Sequence, residues 1–292
     1  MFLQQMINGL TIGSFYALVA VGYSMVFSVL ELTNFAHMSV FMLGGYIGCT
    51  ALAGLGVGFP AAAVLAIGGC GAAGILLDRF ALMPMRRRGA TRVSYLICTI
   101  GLSTFIQNFI MLVFGSEAIP FKETFVNGQI RIGNAVVSYM QIGIVALTLV
   151  LMALTYVLVY KTPAGMSMRA IAQNPRAAKL MGINTDRIIT FTFFTGSALA
   201  AVAGLMFGSY YYSVDLQMGF TVGMKTFASA VLGGIGSLPG AVLGGFLIGI
   251  LEALFAGYIS SGFKDAVGFL VLIVVLLIRP SGLMGQKKVN KV

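Results

Sequence analysis

Apolar residues run in long stretches along this chain, separated by short gaps that collect most of the charge. A hydrocarbon layer about 30 Å thick needs about 20 apolar residues of helix to cross it. Stretches of that size occupy residues 10–30, 35–54, 59–77, 93–114, 136–160 and 188–212. Residues 219–259 carry charge only at Lys225 and Glu252 and are too long for one crossing. The run Gly233-Gly234-Ile235-Gly236-Ser237-Leu238-Pro239-Gly240 should break a helix. Dividing there predicts spans at 219–236 and 240–259, followed by a shorter one at 264–278. The pattern thus predicts an all-α polytopic membrane protein with nine transmembrane helices, or eight if one late segment is re-entrant.

Composition agrees. The chain has 292 residues, 59% of them hydrophobic and 9% charged, against roughly 25% charged in soluble domains. Its mean hydropathy is +0.97. So few charges cannot cover a water-facing surface, and lipid is the solvent that fits. Cys49, Cys70 and Cys98 stand singly in apolar stretches without CxxC spacing, which suggests neither a zinc site nor a disulfide framework. No basic region precedes the first apolar run, so that run reads as a retained membrane segment rather than a leader.

The net charge of +10 raises nucleic acid as a partner, but the distribution of charge points elsewhere. Arg79, Arg86, Arg87, Arg88 and Arg92 share one loop with Asp78, and Lys161, Arg169, Arg176, Lys179 and Arg187 share another with Asp186. The tail carries Arg279, Lys287, Lys288 and Lys291 without an acid. By contrast, residues 116–131 hold two basic and two acidic residues, and 213–219 hold only Asp215. Lys and Arg accumulate in cytoplasmic loops. Nine spans then place the N-terminus outside and the C-terminus inside.

A weak internal repeat is visible. Asn34-Phe35-Ala36-His37 leads into Phe41-Met42-Leu43-Gly44-Gly45-Tyr46, then Gly58-Phe59-Pro60. Met218-Gly219-Phe220 leads into Ala230-Val231-Leu232-Gly233-Gly234-Ile235, then Ser237-Leu238-Pro239. On the predicted topology the matching spans run in opposite directions, the inverted arrangement that recurs in transporters. Chance similarity between Gly/Ala-rich helices is the competing reading. The pairs Gly204/Gly208, Gly240/Gly244 and Gly245/Gly249 have the small-xxx-small spacing that lets helix backbones approach in lipid.

Few residues offer chemistry. Glu252 lies inside a span, where a charge costs about 2.5–3.5 kcal/mol, so it should face the bundle interior, pair, or be neutral. Lys225 lies nearer an outer helix end, within reach of the interface. His37, the single histidine, and Asn34 lie where the second span starts. Each of these four residues is a candidate for the pathway or its gate, with a packing or helix-end role as the alternative. No metal cluster, cofactor motif or G-x-S-x-G nucleophile signature is present. A P-loop is also absent, for the chain contains no Gly-Lys dipeptide. If ATP powers this protein, another subunit binds it.

The gap at residues 161–187 carries the sharpest local signal. Asn174-Pro175 can start a short helix, Ala177-Ala178-Lys179-Leu180-Met181 favours one, and Gly182 can end it. A short exposed helix between two spans suits docking into a cytoplasmic partner, though an ordinary basic loop is the simpler reading. Ala177-Ala178-x-x-x-Gly182 resembles the EAA---G coupling motif of ABC importer permeases, with Arg176 in the Glu position.

The whole chain resembles the LivH-type permeases of branched-chain amino acid ABC importers. The similarity lies in Phe2-Leu3-Gln4-Gln5, Asn8-Gly9, Asn34-Phe35-Ala36-His37 and Leu180-Met181-Gly182-Ile183-Asn184-Thr185-Asp186-Arg187. It continues in 198–204, in 225–240 and in Pro280-Ser281-Gly282-Leu283. Met38 departs from it, standing where the family has Gly.

The resemblance implies one permease domain over residues 1–292 in a bacterial inner membrane, with a coupling loop at about 161–187. It assigns Arg169, Asn174, Arg176, Ala177, Ala178, Gly182 and Asn184 to coupling. It implies a second homologous permease subunit, two cytoplasmic ATP-binding subunits, a periplasmic substrate-binding protein and surrounding membrane lipid as partners, with no nucleic acid and no cofactor. Branched-chain amino acids are the implied substrates. Other amino acids, urea and short amides are the alternatives within the same machine, and a self-sufficient channel or a proton-coupled carrier using Glu252 is the alternative class.

Overall fold

Helix starts follow local signals in the sequence. In a computed structural model, which describes residues 1–121, 128–133, 135–279 and 281–285, each predicted span contains a helix. The order is α1 (Phe2–Leu30), α2 (Ala36–Gly54), α3 (Phe59–Leu76), α4 (Met83–Arg87), α5 (Arg92–Phe114), α6 (Tyr139–Lys161), α7 (Pro163–Gln173), α8 (Pro175–Leu180), α9 (Thr185–Tyr211), α10 (Met218–Gly233), α11 (Leu238–Tyr258) and α12 (Lys264–Ile278). A π-helical turn, Leu77–Leu82, joins α3 to α4. Lys122, Glu123, Pro280, Lys287, Lys288 and Lys291, used in the loop charges and the family ending, lie outside the described residues.

Seven helices among the described residues are long and apolar enough to cross a membrane. Helices α10 and α12 have only 16 and 15 residues, and at 1.5 Å per residue they fall short of a full hydrocarbon layer. The late spans are therefore the short ones. Two boundaries differ from expectation for visible reasons. Helix α1 begins at Phe2 because Gln4 and Gln5, although polar, are good helix formers. Helix α6 begins at Tyr139, not 136, because Ser138 and Gln141 form a capping box there.

Four short strands were not foreseen. Among the described residues β1 (Ile119–Pro120) pairs antiparallel with β4 (Ser213–Val214), and β2 (Gln129–Ile132) pairs with β3 (Ala135–Ser138). They close one end of the bundle, where Gln4 also exchanges hydrogen bonds with the Val136 backbone. The opposite end is basic. There Arg86 and Arg87 reach Asp186, and Arg92 reaches Glu31. The segment after α12 returns to this end, with Leu283 and Met284 N–H groups donating to Leu232 and Gly233 carbonyls. The described termini thus lie at opposite ends of the bundle.

Helix α1 is the axis of the bundle, buried from Ser14 to Val26 and packed against α11, α9 and α10. A Cβ placed on Gly245 or Gly249 of α11 would overlap the backbone of Ala17 or Gly13 of α1. The small residues therefore set the helix spacing, as association in lipid requires. Helices α5 and α6 are peripheral, and α5 buries only Tyr95, Thr99 and Ile110. Helices α2 and α10, matched as a repeat in the sequence, lie side by side and antiparallel: Met42 faces Gly219, and Met38 faces Gly223. Met38, bulkier than the family's Gly, is accommodated by the bare backbone at Gly223.

Candidate functional site

Two polar regions rise above the apolar bundle. The first joins α1, α10, α11 and α12. Lys225 Nζ lies 2.7 Å from Glu252 Oε1 and 2.6 Å from Asp265 Oδ1, and donates to the Tyr16 hydroxyl at 3.3 Å. Tyr16 in turn donates to Glu252 Oε2 at 2.8 Å. The Lys225 and Glu252 side chains are 3% and 4% exposed, whereas Asp265 is 51% exposed. The expectation that Lys225 would reach out to the interface is therefore corrected. Its ammonium ends inside the bundle, and all three of its N–H donors have partners.

Local structure places each member of this cluster. Asp265 occupies the first turn of α12, where a carboxylate complements the helix dipole. Gly268, one turn on, leaves α12 close to the Lys225 stem. The cluster forms one wall of a cavity of about 280 Å³ at the strand-closed end, whose lining also includes Asp215 and Lys264. Asp215 itself starts α10, its Oδ1 accepting from the Gln217 and Met218 N–H groups. Asp265 and Tyr16 were missed from sequence. The signal for Asp265 was an acid directly before an apolar run, while nothing distinguishes Tyr16 from the other tyrosines.

The second region is the basic end. Thr162 caps α7, its hydroxyl accepting from Gly165 N–H at 3.2 Å, with Pro163 in the first turn. Two short helices thus replace the single one expected between residues 161 and 187. Helix α7 buries Gly165, Met168 and Ile171 on one face, and Arg169 folds back over the Tyr160 ring and donates to the Tyr160 carbonyl. Asn174 Oδ1 then accepts from the Arg176 and Ala177 N–H groups and starts α8. Ala178 is the buried residue of α8, while Arg176 and Ala177 are exposed.

Gly182 follows α8 at φ +84°, the left-handed backbone that favours glycine, and Asn184 caps α9 by accepting from Arg187 N–H. The tip of this hairpin carries Leu180 and Met181, 89% and 83% exposed. Neither was singled out from sequence. Behind it lies a buried ion pair that was also missed. Asp78, in the π-helical turn, accepts from Arg86 Nη1 and Thr190 Oγ1, both at 2.6 Å. It ties the α3–α4 segment to α9.

Asn34 and His37 belong to neither region. Asn34 Oδ1 accepts from Ala36 N–H, and His37 Nε2 donates to the Val19 carbonyl at 3.3 Å. The His37 ring is buried beside Tyr23 and Gly22. Together they fix the start of α2 against the middle of α1.

Comparison with known proteins gives this architecture a family. A family described as "Branched-chain amino acid transport system / permease component" matches residues 5–276. The high-affinity branched-chain amino acid transport system permease protein LivH of Escherichia coli is 41% identical, covering 100% of this chain and 98% of its own. The corresponding BraD of Pseudomonas aeruginosa is 42% identical with the same coverage. The autoinducer 2 import system permease protein LsrC of Escherichia coli is 29% identical over 64% of this chain and 55% of its own. No solved structure matches. This membrane-spanning chain therefore belongs to the permease components of the branched-chain amino acid transport systems, and ATP hydrolysis in such systems falls to other subunits.

Proposed function

We propose that the chain is one of two permease subunits of an importer that carries branched-chain amino acids into the cytoplasm. Residues 1–292 act as one domain in a bacterial inner membrane, with the N-terminus periplasmic and the basic end cytoplasmic. A second homologous permease completes the path, a periplasmic binding protein delivers substrate to the strand-closed end, and two ATP-binding subunits grip the loop at residues 161–187. Family membership with full-length relatives supports the substrate class. The observation that carries the coupling role is the α7–α8 hairpin, with Leu180 and Met181 exposed at its tip. Apolar side chains in water at a membrane protein's basic end mark a partner surface.

In this reading Arg169 braces α7, Asn174 starts α8, and Arg176 and Ala177 face the ATPase. Ala178 anchors the hairpin, while Gly182 and Asn184 pass its movement to α9. Lys225 and Glu252 line the periplasmic entrance to the path, and Asn34 and His37 hold the α1–α2 break that borders it. A proton-coupled carrier is less well supported, since both Glu252 oxygens are engaged by Lys225 and Tyr16. The name of LsrC associates a related permease with a different solute, so the same machine working on other small polar molecules is the alternative.

The test uses the assembled transporter in proteoliposomes. Gly182→Trp should insert normally yet lose leucine accumulation while ATP hydrolysis continues, because a bulky residue is strained at that φ. Uptake at the parent rate would remove the hairpin from the coupling path.

A further inference from the structure

The cavity beside Lys225 has a mixed lining. Asp215, Glu252 and Asp265 stand there with Lys225 and Lys264. Phe207, Tyr211 and Met218 add aromatic and apolar surface. Its volume of about 280 Å³ lies just below the roughly 300–1,000 Å³ of drug-sized sites, which suits a ligand as small as an amino acid. The charged groups are unequally occupied. Glu252 is buried and bonded through both oxygens. Asp265 shares one oxygen with Lys225 and is half exposed, and Lys264 has no ion-pair partner among the described residues.

An exposed acid and an available base therefore sit next to each other in the chain, in a lining that also offers apolar surface. A lone anion entering here would meet Asp215 and Asp265, and a lone cation would leave Lys264 without a counter-ion. A molecule carrying both charges on groups joined to one carbon, with an apolar tail, satisfies the charged and the apolar lining at once. It also adds no net charge to a region where an uncompensated buried charge is costly.

We propose that this cavity holds the zwitterionic head of an aliphatic α-amino acid, with its carboxylate on Lys264, its ammonium on Asp265 and Asp215, and its side chain against Phe207, Tyr211 and Met218. The proposal deepens the permease reading and rests on it for the direction of entry. It gives the permease its own selection step, one that rejects urea and simple amides because they lack the paired charges.

The test is protection of an introduced cysteine. Ser213 lines the cavity near its strand end, so Ser213→Cys in the complete transporter can be labelled with an impermeant maleimide. Leucine should slow labelling. Leucinamide, N-acetylleucine and urea should need at least about tenfold higher concentration for the same protection, the equivalent of one lost charge contact. Lys264→Gln and Asp265→Asn, both at partly exposed positions, should each raise the leucine concentration for half-protection by about tenfold.

Parallel leucine uptake separates the two readings. Transport by the parent protein with no leucine protection overturns the cavity proposal and leaves the permease reading intact. Equal protection by leucine and N-acetylleucine, or parent-like protection in both variants, also overturns it. Protection without transport upholds the cavity and counts against the substrate assigned to the machine. Should Asp265→Asn lower the yield, Lys264→Gln alone decides, since Lys264 holds no ion pair among the described residues.

Discussion

The two charged regions of this permease solve opposite problems. At the strand-closed end, Lys225 and Glu252 are withdrawn from solvent and held by each other, by Tyr16 and by Asp265. At the basic end Arg176, Lys179 and Arg187 are exposed. The first arrangement fixes side chains because an unpaired charge in the bundle is costly. The second leaves charges hydrated and places apolar Leu180 and Met181 in the open. Damage to the first should therefore unfold the protein, and damage to the second should only disconnect it.

The sharpest break of this contrast is Lys225→Met. It leaves Glu252 buried with Tyr16 as its remaining hydrogen-bond partner, and breaking a buried pair this way costs about 3–5 kcal/mol. A large fall in melting temperature in detergent is expected, and Lys225→Met with Glu252→Gln should recover most of it. A single variant as stable as the parent would show that the pair holds nothing together.

At the other end, Leu180→Asp with Met181→Asp should leave stability within about 0.5 kcal/mol of the parent, as exposed substitutions do. Stimulation of the ATP-binding subunits by the assembled permease should nevertheless fall. Loss of stability instead would mean that the tip is held by this chain, not by a partner.

How much of this was readable beforehand depends on the range of the interaction involved. The spans were legible because lipid demands some 20 apolar residues in a row, and the α8 cap was legible because Asn174-Pro175 acts on its own neighbours. The start of α6 was not, since Val136 and Val137 are as apolar as the helix that follows, and only the Ser138–Gln141 pairing divides them. The ion cluster was half legible. Glu252 stood out as an acid in an apolar run, but Tyr16, Lys225 and Asp265 come from three other helices whose assembly no periodicity encodes. Asp78 looked like one acid in a basic loop until the π-helical turn carried it under Arg86 and Thr190.

The smallest expected effect tests whether exposure alone decides the outcome. Asp186 takes Arg87 at 3.2 Å and Arg86 at 3.6 Å, so the basic end also has ion pairs, but Arg87 is 69% exposed. Exposed pairs contribute about 0–1 kcal/mol, and at 1 M salt the screening length falls to about 3 Å. Arg87→Ala should therefore lower stability by less than about 1 kcal/mol at low salt and by nothing measurable at high salt. The Lys225→Met loss should persist at both, because a buried pair is screened much less than an exposed one. If Arg87→Ala were as damaging as Lys225→Met, or if high salt erased the Lys225 effect, burial would not be what separates the two ends.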